Sequence, residues 1–234
     1  MKNVRELTVN EIYIYKMDVI PFRSVITATN MEKIFSSFLF KESEMGEGES
    51  NIESITMKLG EFKNKNEVYP IDFLRIEPRR IVFSIKGSSE IAEQFSNGVF
   101  TLLAEIDKNG FFKESKPIFR TVQTSCSVDL DIDLIDLFTK KMGKFLTSLV
   151  QASSTMFDFK PKITAKSNSI VFELIYELPE ELKNEKIAIR PKKFILEPRI
   201  GTPQKDKRYF ISTPTDSATH FKLISEFENL YKAS

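Results

Sequence analysis

The sequence predicts an α+β protein that is a tandem duplication of two units, each a curved antiparallel sheet with helices on one face. Three observations lead to this prediction. Two short motifs recur in the same order along the 234 residues, strand-like runs alternate with helix-like stripes, and a helix closes each half. The first unit is expected to span residues 1–112 and the second residues 113–234. One face of each sheet is expected to stay uncovered, which antiparallel sheets tolerate.

The recurring motifs set the order of the predicted halves. Phe-Arg-Ser-Val-Ile-Thr at residues 22–27 returns as Phe-Arg-Thr-Val-Gln-Thr at residues 119–124. Arg-Ile-Glu-Pro-Arg at residues 75–79 returns as Ile-Leu-Glu-Pro-Arg at residues 195–199. Motifs this short arise by chance, but their shared order and the similar succession of strands and helices favour a duplication.

The first unit opens with a segment rich in Tyr, Ile and Val at residues 11–20, which predicts a strand, and residues 22–28 are expected to continue in an extended conformation. Asn30 is expected to cap a short helix. An acidic segment with two Gly then predicts an exposed loop. The remaining elements are a helix at 31–41, the loop at 42–50, strands at 52–62, 68–76 and 80–86, and a closing helix at 89–106 with Ile91, Phe95, Val99, Leu102 and Leu103 on one stripe.

The second unit is expected to follow the same plan. Its first strand runs over residues 117–130, and acidic residues at the start of the next helix suit the positive end of the helix dipole. A metal site is the alternative reading of these carboxylates, which belong to Asp129, Asp131, Asp133 and Asp136. Asp216 or Ser217 is expected to cap the last helix. The predicted elements are a helix at 132–151, strands at 156–165, 169–178, 186–196 and 208–212, and a closing helix that carries Phe221, Ile224, Phe227 and Tyr231.

Composition excludes several classes of function. The chain has one Cys, one His, no Trp, 21 Phe and a formal net charge of +1. Cys126 and His220 supply too few ligands for a zinc or iron–sulfur site, and a catalytic triad would depend on His220 alone. The Gly-rich motifs that bind nucleotide phosphates do not occur. We therefore expect no enzyme activity, no cofactor and no metal, and we expect most of the Phe side chains to fill the core.

The sequence also bears on location. It contains no run of about 18 apolar residues and no apolar segment near Met1 that would act as a secretory signal. A lone thiol agrees with a reducing compartment. These features predict an intracellular protein of the nucleus or cytoplasm with no membrane partner.

Three segments resemble the TATA-box-binding protein family. The strand Thr-Ser-Cys-Ser-Val at residues 124–128, leading into a Leu-rich helix, is similar to the start of that family's second repeat. The stretch at residues 69–79, Tyr-Pro-Ile-Asp-Phe-Leu-Arg-Ile-Glu-Pro-Arg, resembles its Phe-Pro-Gly-Leu strand and the Pro-Arg turn that follows. Residues 226–231 are similar to its C-terminal helix. The resemblance implies a saddle whose concave sheet binds the minor groove, and a transcription initiation factor that recruits other transcription factors.

The resemblance also implies partners and site residues. The partners would be A·T-rich double-stranded DNA and general transcription factors or RNA polymerase machinery. In such a complex apolar side chains pack on the widened minor groove, Phe wedges kink the duplex, and Lys and Arg hold phosphates. Tyr69 and Phe83 fall at wedge positions, whereas Arg190 stands where a wedge Phe is expected. The implied DNA-binding set is Ser24, Ile26, Tyr69, Arg79, Phe83, Thr121, Gln123, Arg190, Lys192, Lys193 and Arg199.

The distribution of charge agrees with a lopsided contact. Residues 1–112 hold 14 basic and 17 acidic side chains, whereas residues 113–234 hold 20 and 16. Residues 183–208 alone hold nine basic and three acidic side chains, which could line a phosphate-facing rim. A solvated basic loop with no partner is the alternative reading of this stretch.

A second function class stays open at the level of sequence. A duplicated α+β chain could instead be a protein-interaction module, such as an assembly factor or a component of a sliding-clamp-like ring. Clamps line their hole with basic helices, but the predicted helix at 89–106 contains no Lys or Arg. An exposed sheet face bearing Ser24, Tyr69, Thr121 and Gln123 would favour DNA binding, and a covered face would favour the protein-interaction module.

Overall fold

A computed structural model describes residues 1–16, 18–47, 52–132, 169–175 and 191–233. Within these ranges the chain is α+β, with one large antiparallel sheet and several helices, as the sequence predicts. None of the helices in these ranges is both long and apolar enough to cross a bilayer. The strands are β1 (Lys2–Ile14), β2 (Glu42–Glu47), β3 (Ile52–Asn64), β4 (Glu67–Glu77), β5 (Arg80–Lys86), β6 (Phe119–Asp129), β7 (Ile170–Leu174), β8 (Lys192–Pro198) and β9 (Arg208–Thr213). The helices are α1 (Phe22–Val25), α2 (Ala28–Phe38), α3 (Ser89–Ile106), α4 (Phe111–Glu114) and α5 (Ser217–Ala233).

The nine strands follow the order β2-β3-β4-β5-β1-β6-β9-β8-β7. The first strand of the chain, β1, therefore lies inside the sheet and pairs with β5 on one side and β6 on the other. Outward from β1 the strands are β5, β4 and β3, and outward from β6 they are β9, β8 and β7. On each side the next strand outward is the one that comes before it along the chain. Along the chain, a long helix follows the innermost strand of each series. This helix is α3 after β5 and α5 after β9.

Alternation along β1 separates the two faces of the sheet. Val9, Glu11 and Tyr13 are buried beneath the helices, whereas Asn10 and Ile12 point to the opposite side and are half-buried. We call these sides the helix face and the open face. The two hydrophobic cores of the described residues combine helix residues with residues from the helix face of the strands, and no described helix packs on the open face.

The larger core is rich in aromatic rings. Phe83 of β5 packs at 5.0 Å from Phe95 of α3 and at 6.3 Å from Tyr13 of β1, measured between ring centroids. Phe95 also contacts Phe38 of α2 at 5.0 Å. The smaller core forms where Ile224 of α5 meets the helix face of β6, β8 and β9. These contacts confirm that the aromatic residues of the described part serve largely as core.

A charged cluster joins the two central strands on the helix face. The Glu11 carboxylate is 0% exposed and accepts hydrogen bonds from Arg120 Nε at 3.1 Å and Nη2 at 2.9 Å. It also accepts a hydrogen bond from the Tyr13 hydroxyl at 2.5 Å. Because Glu11 belongs to β1 and Arg120 to β6, this cluster ties the two sides of the sheet together.

A second joint links the two long helices. The Ser89 backbone N–H donates to Ser217 Oγ at 3.0 Å, and the Ser217 backbone N–H donates to Ser89 Oγ at 2.6 Å. Each serine thus satisfies an otherwise unpaired donor in the first turn of the other helix. The N-termini of α3 and α5 are therefore held together above the centre of the sheet.

The structure corrects five predictions of the first half, one of them the cap at Asn30, because α2 begins at Ala28 with Thr27 as its N-cap. The first strand covers residues 2–14 rather than 11–20, because its polar start is held by backbone pairing with β6 rather than by an apolar pattern. Residues 22–25 form α1 instead of extended chain, since Phe22 and Val25 lie one helical turn apart and are both buried. Residues 42–47 are a strand paired with β3, not a loop, and α4 was not predicted.

Other predictions of elements are confirmed. The sequence places the strand at 80–86 and the helix at 89–106 where the structure has β5 and α3. The strands at 117–130, 169–178, 186–196 and 208–212 match β6 to β9 with shifted ends. The predicted helix at 132–151 and strand at 156–165 lie outside the described residues, apart from Ile132.

Candidate nucleic-acid interface

The centre of the open face is a ladder of side chains from β1 and β6. Asn10 lies directly opposite Gln123, and Ile12 lies opposite Thr121. The Gln123 amide donates a hydrogen bond from Nε2 to Ser212 Oγ at 2.8 Å. The Asn10 amide makes no hydrogen bond to any described residue. The ladder thus offers a free amide at the middle of the sheet, next to an aliphatic side chain.

Short polar and apolar side chains extend this surface across β5 and β4. Ser84 lies opposite Asn10 and Val82 lies opposite Ile12, which continues both rows of the ladder. The next strand places the half-buried Phe73 opposite Ser84. This part of the open face therefore mixes short polar side chains with apolar ones, including the Phe73 ring, and a flat or grooved partner could pack against it.

The basic residues around the open face are held by carboxylates. Each pair has at least one partner that is partly exposed, so each is worth about 0–1 kcal/mol and is open to exchange. The pairs and their N–O distances are Arg75–Glu77 at 2.8 Å, Lys86–Asp72 at 3.3 Å, Lys193–Glu173 at 3.7 Å, Arg199–Glu6 at 3.0 Å and Arg208–Asp129 at 2.8 Å.

A polar cleft of about 760 Å³ lies at one end of the ladder, where the pairing of β1 shifts near Glu6. Lys86 and Arg199 line it from opposite sides of β1. Their carboxylate partners are themselves fixed, because Ser84 Oγ donates to Asp72 at 2.8 Å and Ser127 Oγ donates to Glu6 at 2.8 Å. The cleft therefore has a matched cation on each side of the central strand.

Four of the residues predicted for the site lie on or beside the open face. Thr121 and Gln123 belong to the central ladder, as the register of β6 requires. Thr121 is only 7% exposed, and its hydroxyl has no hydrogen-bond partner within the described part of the chain. Lys193 faces the same side from β8, and Arg199 follows the end of that strand. These four side chains are the part of the predicted set that the fold brings together.

Ser24 and Ile26 do not lie on a DNA-facing strand. Ser24 is in α1, and Ile26 follows it and packs against the larger core on the helix face. The sequence motif at 22–27 therefore matches β6 in letters but not in structure. The strand that pairs with β6 at the centre is β1, and it supplies Asn10 and Ile12 instead.

The two predicted wedge residues also lie elsewhere. Phe83 is 0% exposed within the larger core, because its position in β5 points to the helix face. Tyr69 packs against the same core, and its hydroxyl donates to Glu67. The Phe83 ring cannot reach the open face without unpacking the core, so the wedge prediction is wrong for Phe83. The half-buried Tyr69 lines the polar cleft at the end of the ladder, so its role as a wedge stays a prediction.

The remaining predicted cations have other surroundings. Arg79 is in the turn between β4 and β5, and its guanidinium donates to the backbone carbonyls of Tyr15 and Lys16. Lys192 lies on the helix-face side of β8 opposite Leu174, and burial lowers its pKa. Arg190 lies outside the described residues.

Sequence reasoning missed Thr8, Asn10 and Ile12. The signal was present, because apolar Val9, Tyr13 and Tyr15 alternate with these positions from residue 8 onward. Starting the strand at residue 11 removed Thr8 and Asn10 from consideration.

The described residues also contain a buried cysteine–histidine pair, a combination of side chains that acts as a nucleophile and base in some enzymes. Cys126 Sγ lies 3.2 Å from His220 Nε2, and His220 Nδ1 lies 2.8 Å from Thr213 Oγ1. Burial raises the pKa of the Cys126 thiol to about 12 and lowers the pKa of His220 to about 4. Both side chains are 0% exposed and burial favours their neutral forms, so the pair belongs to the packed interior.

No group of three or more Cys, His, Asp or Glu side chains in the described ranges is placed to hold a metal ion. Searches for relatives add no further constraint, since no protein-family model matches the chain and no curated protein matches its sequence.

Proposed function

We propose that the chain is a DNA-binding protein that lays the open face of its sheet on the minor groove of A·T-rich duplex DNA, as the resemblance to TATA-box-binding proteins implies. The observation that carries the proposal is the central ladder on a face without described helices. Its free Asn10 amide stands beside Ile12, and Gln123 stands directly opposite Asn10. The proposal includes no catalytic step.

The strand order supports a duplicated, saddle-like architecture as part of this proposal. The two series of strands that leave the β1–β6 pair correspond one to one as far as β3 and β7. The Glu-Pro-Arg motifs agree with this correspondence, because each spans the end of a strand, residues 77–79 at β4 and residues 197–199 at β8. The reciprocal bonds between Ser89 and Ser217 add a third paired feature near the same axis.

The chemistry of the ladder fits the minor groove of A·T pairs. That groove presents the acceptors adenine N3 and thymine O2, whereas G·C pairs add a guanine amino donor at the groove floor. The Asn10 amide can donate to the acceptors, and Ile12 and Val82 can pack on sugar edges. A guanine amino group would meet these aliphatic side chains, so we expect a preference for A·T pairs.

The ion pairs around the open face set the expected salt dependence. Phosphates would have to displace Asp72 from Lys86 and Glu6 from Arg199, which offsets part of the electrostatic gain. We therefore expect binding that weakens with salt. The slope of log binding constant against log salt concentration should correspond to about two phosphate contacts rather than the six to ten of strongly basic proteins. Because Phe83 is buried and cannot act as a wedge, we expect less bending of the duplex than two wedges would give.

Fluorescence anisotropy with an A·T-rich duplex and a G·C-rich duplex across a salt series tests the proposal. Asn10→Ala should weaken binding to the A·T-rich duplex by about tenfold and reduce the preference over G·C, since one good contact is worth about 1–3 kcal/mol of discrimination. Asn97→Ala is the matched control, because Asn97 is an exposed amide on α3 at the helix face. Equal effects of the two substitutions would refute a role for the ladder.

A protein-interaction module is the second candidate, and the balance of charge favours it. Five cations near the open face already have a carboxylate partner, although Arg75 shares Glu77 with Arg80, and a surface of partly compensated charge suits a protein better than a polyanion. Absence of salt-sensitive binding to either duplex at low salt would overturn the DNA proposal and leave this candidate.

A further inference from the structure

A second cleft lies on the helix face, away from the ladder. It has a volume of about 690 Å³, which is within the range of sites for small molecules. Its aromatic members are Tyr15, Phe100 and Phe112, with Phe112 at 5.7 Å from Tyr15 and 5.9 Å from Phe100 between ring centroids. Ala104 of α3 adds a small side chain to the lining. The cleft therefore presents apolar and aromatic surface of the size of a one- or two-ring molecule.

A single polar group lies among these rings. Tyr15 is 2% exposed, and its hydroxyl has no hydrogen-bond partner among the described residues. The oxygen is not one of the fully buried unpaired atoms of the described residues, so it opens to the cleft that Tyr15 lines. Burial also raises the pKa of Tyr15 to about 12, so the group is a hydrogen-bond donor at neutral pH. The hydroxyl is thus available to an acceptor atom that enters the cleft.

The charges at the rim are unequal. Glu105 lines the cleft, but its carboxylate is paired with Lys33 at 2.5 Å. Lys113 of α4 also lines the cleft and forms no ion pair with any described residue. The remaining polar members, Asn97, Thr101 and Ser115, are uncharged. The free charge of this site is therefore positive.

The position of Lys113 and Phe112 is built into the fold. Asp107, the residue after α3, accepts hydrogen bonds at Oδ2 from the Phe112 backbone N–H at 2.7 Å and at Oδ1 from the Asn109 N–H at 3.1 Å. Gly110 has a φ of 75°, a left-handed conformation that permits the tight turn between the two helices. The turn thereby places one aromatic ring and one cation at the same cleft.

We propose that this cleft binds a small aromatic carboxylate, with its ring against Phe100 and Phe112 and its carboxylate oxygens toward Lys113 and the Tyr15 hydroxyl. The apolar surface accounts for the ring, the free cation selects an anion, and the free hydroxyl supplies a donor. The site is independent of the open face, so it stands whether or not the chain binds DNA.

Titration with 2-naphthoate tests the proposal, and the absence of Trp leaves the probe fluorescence free of indole background. We expect saturable binding with one site per chain. The uncharged analogue 2-naphthalenemethanol should bind about tenfold more weakly, because it lacks the charge that meets Lys113.

Variants assign the binding to the cleft. Lys113→Gln should weaken 2-naphthoate binding about tenfold and remove the difference between the two probes. Lys108→Gln is the matched control, since Lys108 is an exposed lysine outside the cleft lining, and it should change nothing. Ala104→Phe should fill the cleft and abolish binding, with its fold checked by circular dichroism.

Three results would overturn the proposal. They are no saturable binding of 2-naphthoate to the wild-type chain, equal affinities of Lys113→Gln and Lys108→Gln, and undiminished binding to a folded Ala104→Phe chain. Tyr15→Phe, which retains the ring, should cost a smaller factor of about three to ten, in line with one hydrogen bond. None of these measurements depends on DNA, so they are separable from the outcome of the anisotropy experiment.

Discussion

Replacing Arg120 by Met should be the most damaging single change at the centre of the sheet. Glu11 would keep its buried position, at 0% exposure, but lose both guanidinium hydrogen bonds and retain only the Tyr13 hydroxyl. Removing one partner of a buried ion pair costs about 3–5 kcal/mol. Because the Arg120 side chain is 41% exposed, we expect the lower end, about 3 kcal/mol.

Urea unfolding followed by far-ultraviolet circular dichroism measures this loss. With a slope of about 2–3 kcal/mol per molar urea, the midpoint should fall by about 1 M. Arg23→Met is the control, because Arg23 is exposed on α1, and it should stay within about 0.5 kcal/mol of wild type.

Combining Arg120→Met with Glu11→Gln should recover part of the loss, since a neutral amide leaves no unpaired charge. A fall of less than about 1 kcal/mol in Arg120→Met, or no recovery in the double variant, would refute the reasoning.

Three further outcomes are expected. Ser89→Ala and Ser217→Ala should each lower the unfolding free energy by about 1 kcal/mol, and the double variant by less than their sum, since both remove the same reciprocal pair. The pKa of His220 is lowered to about 4 from about 6.5 in the unfolded chain. The stability that its neutral form contributes is therefore fully present above pH 6.5 and is lost as the pH falls toward 4. In the wild type, the unfolding free energy measured with urea should fall by about 2 kcal/mol between pH 7 and pH 5, and His220→Gln should remove most of this fall. Cys126 should resist iodoacetamide in the native chain and react only on unfolding, as read by mass spectrometry.

Elements with strong local signals could be predicted from sequence. The helix at 89–106 has an unbroken apolar stripe, and the strand at 80–86 is a short β-branched and aromatic run between Arg80 and Lys86, so their limits agree with α3 and β5. By contrast, β2 has an acidic, Gly-containing sequence and exists because β3 offers a backbone edge. Pairing of this kind depends on partners distant in sequence, and local patterns do not report it.

The residues of the candidate site also differ in whether local sequence patterns could place them. Thr121 and Gln123, which the resemblance implied, share one face of the sheet because β6 was assigned correctly and residues two apart share a face; their role in binding stays a prediction. Phe83 was misplaced because the face of a strand depends on its register with neighbours, and a shift of one residue exchanges the core side for the open side. Asn10 was missed because the start of the first strand was predicted from a run rich in Tyr, Ile and Val that begins at residue 11, whereas β1 begins at Lys2.

The position of β1 has a consequence for how the chain can be divided. A cut in the connection between α4 and β6 would give one fragment that ends in the bare edge of β1 and another with the bare edge of β6. Unprotected edges of this kind pair readily with other strands. Each fragment also carries half of the Glu11–Arg120 pair and half of the Ser89–Ser217 pair. The two fragments should therefore aggregate when expressed alone and reassemble when expressed together, which would make this chain a natural scaffold for a split reporter.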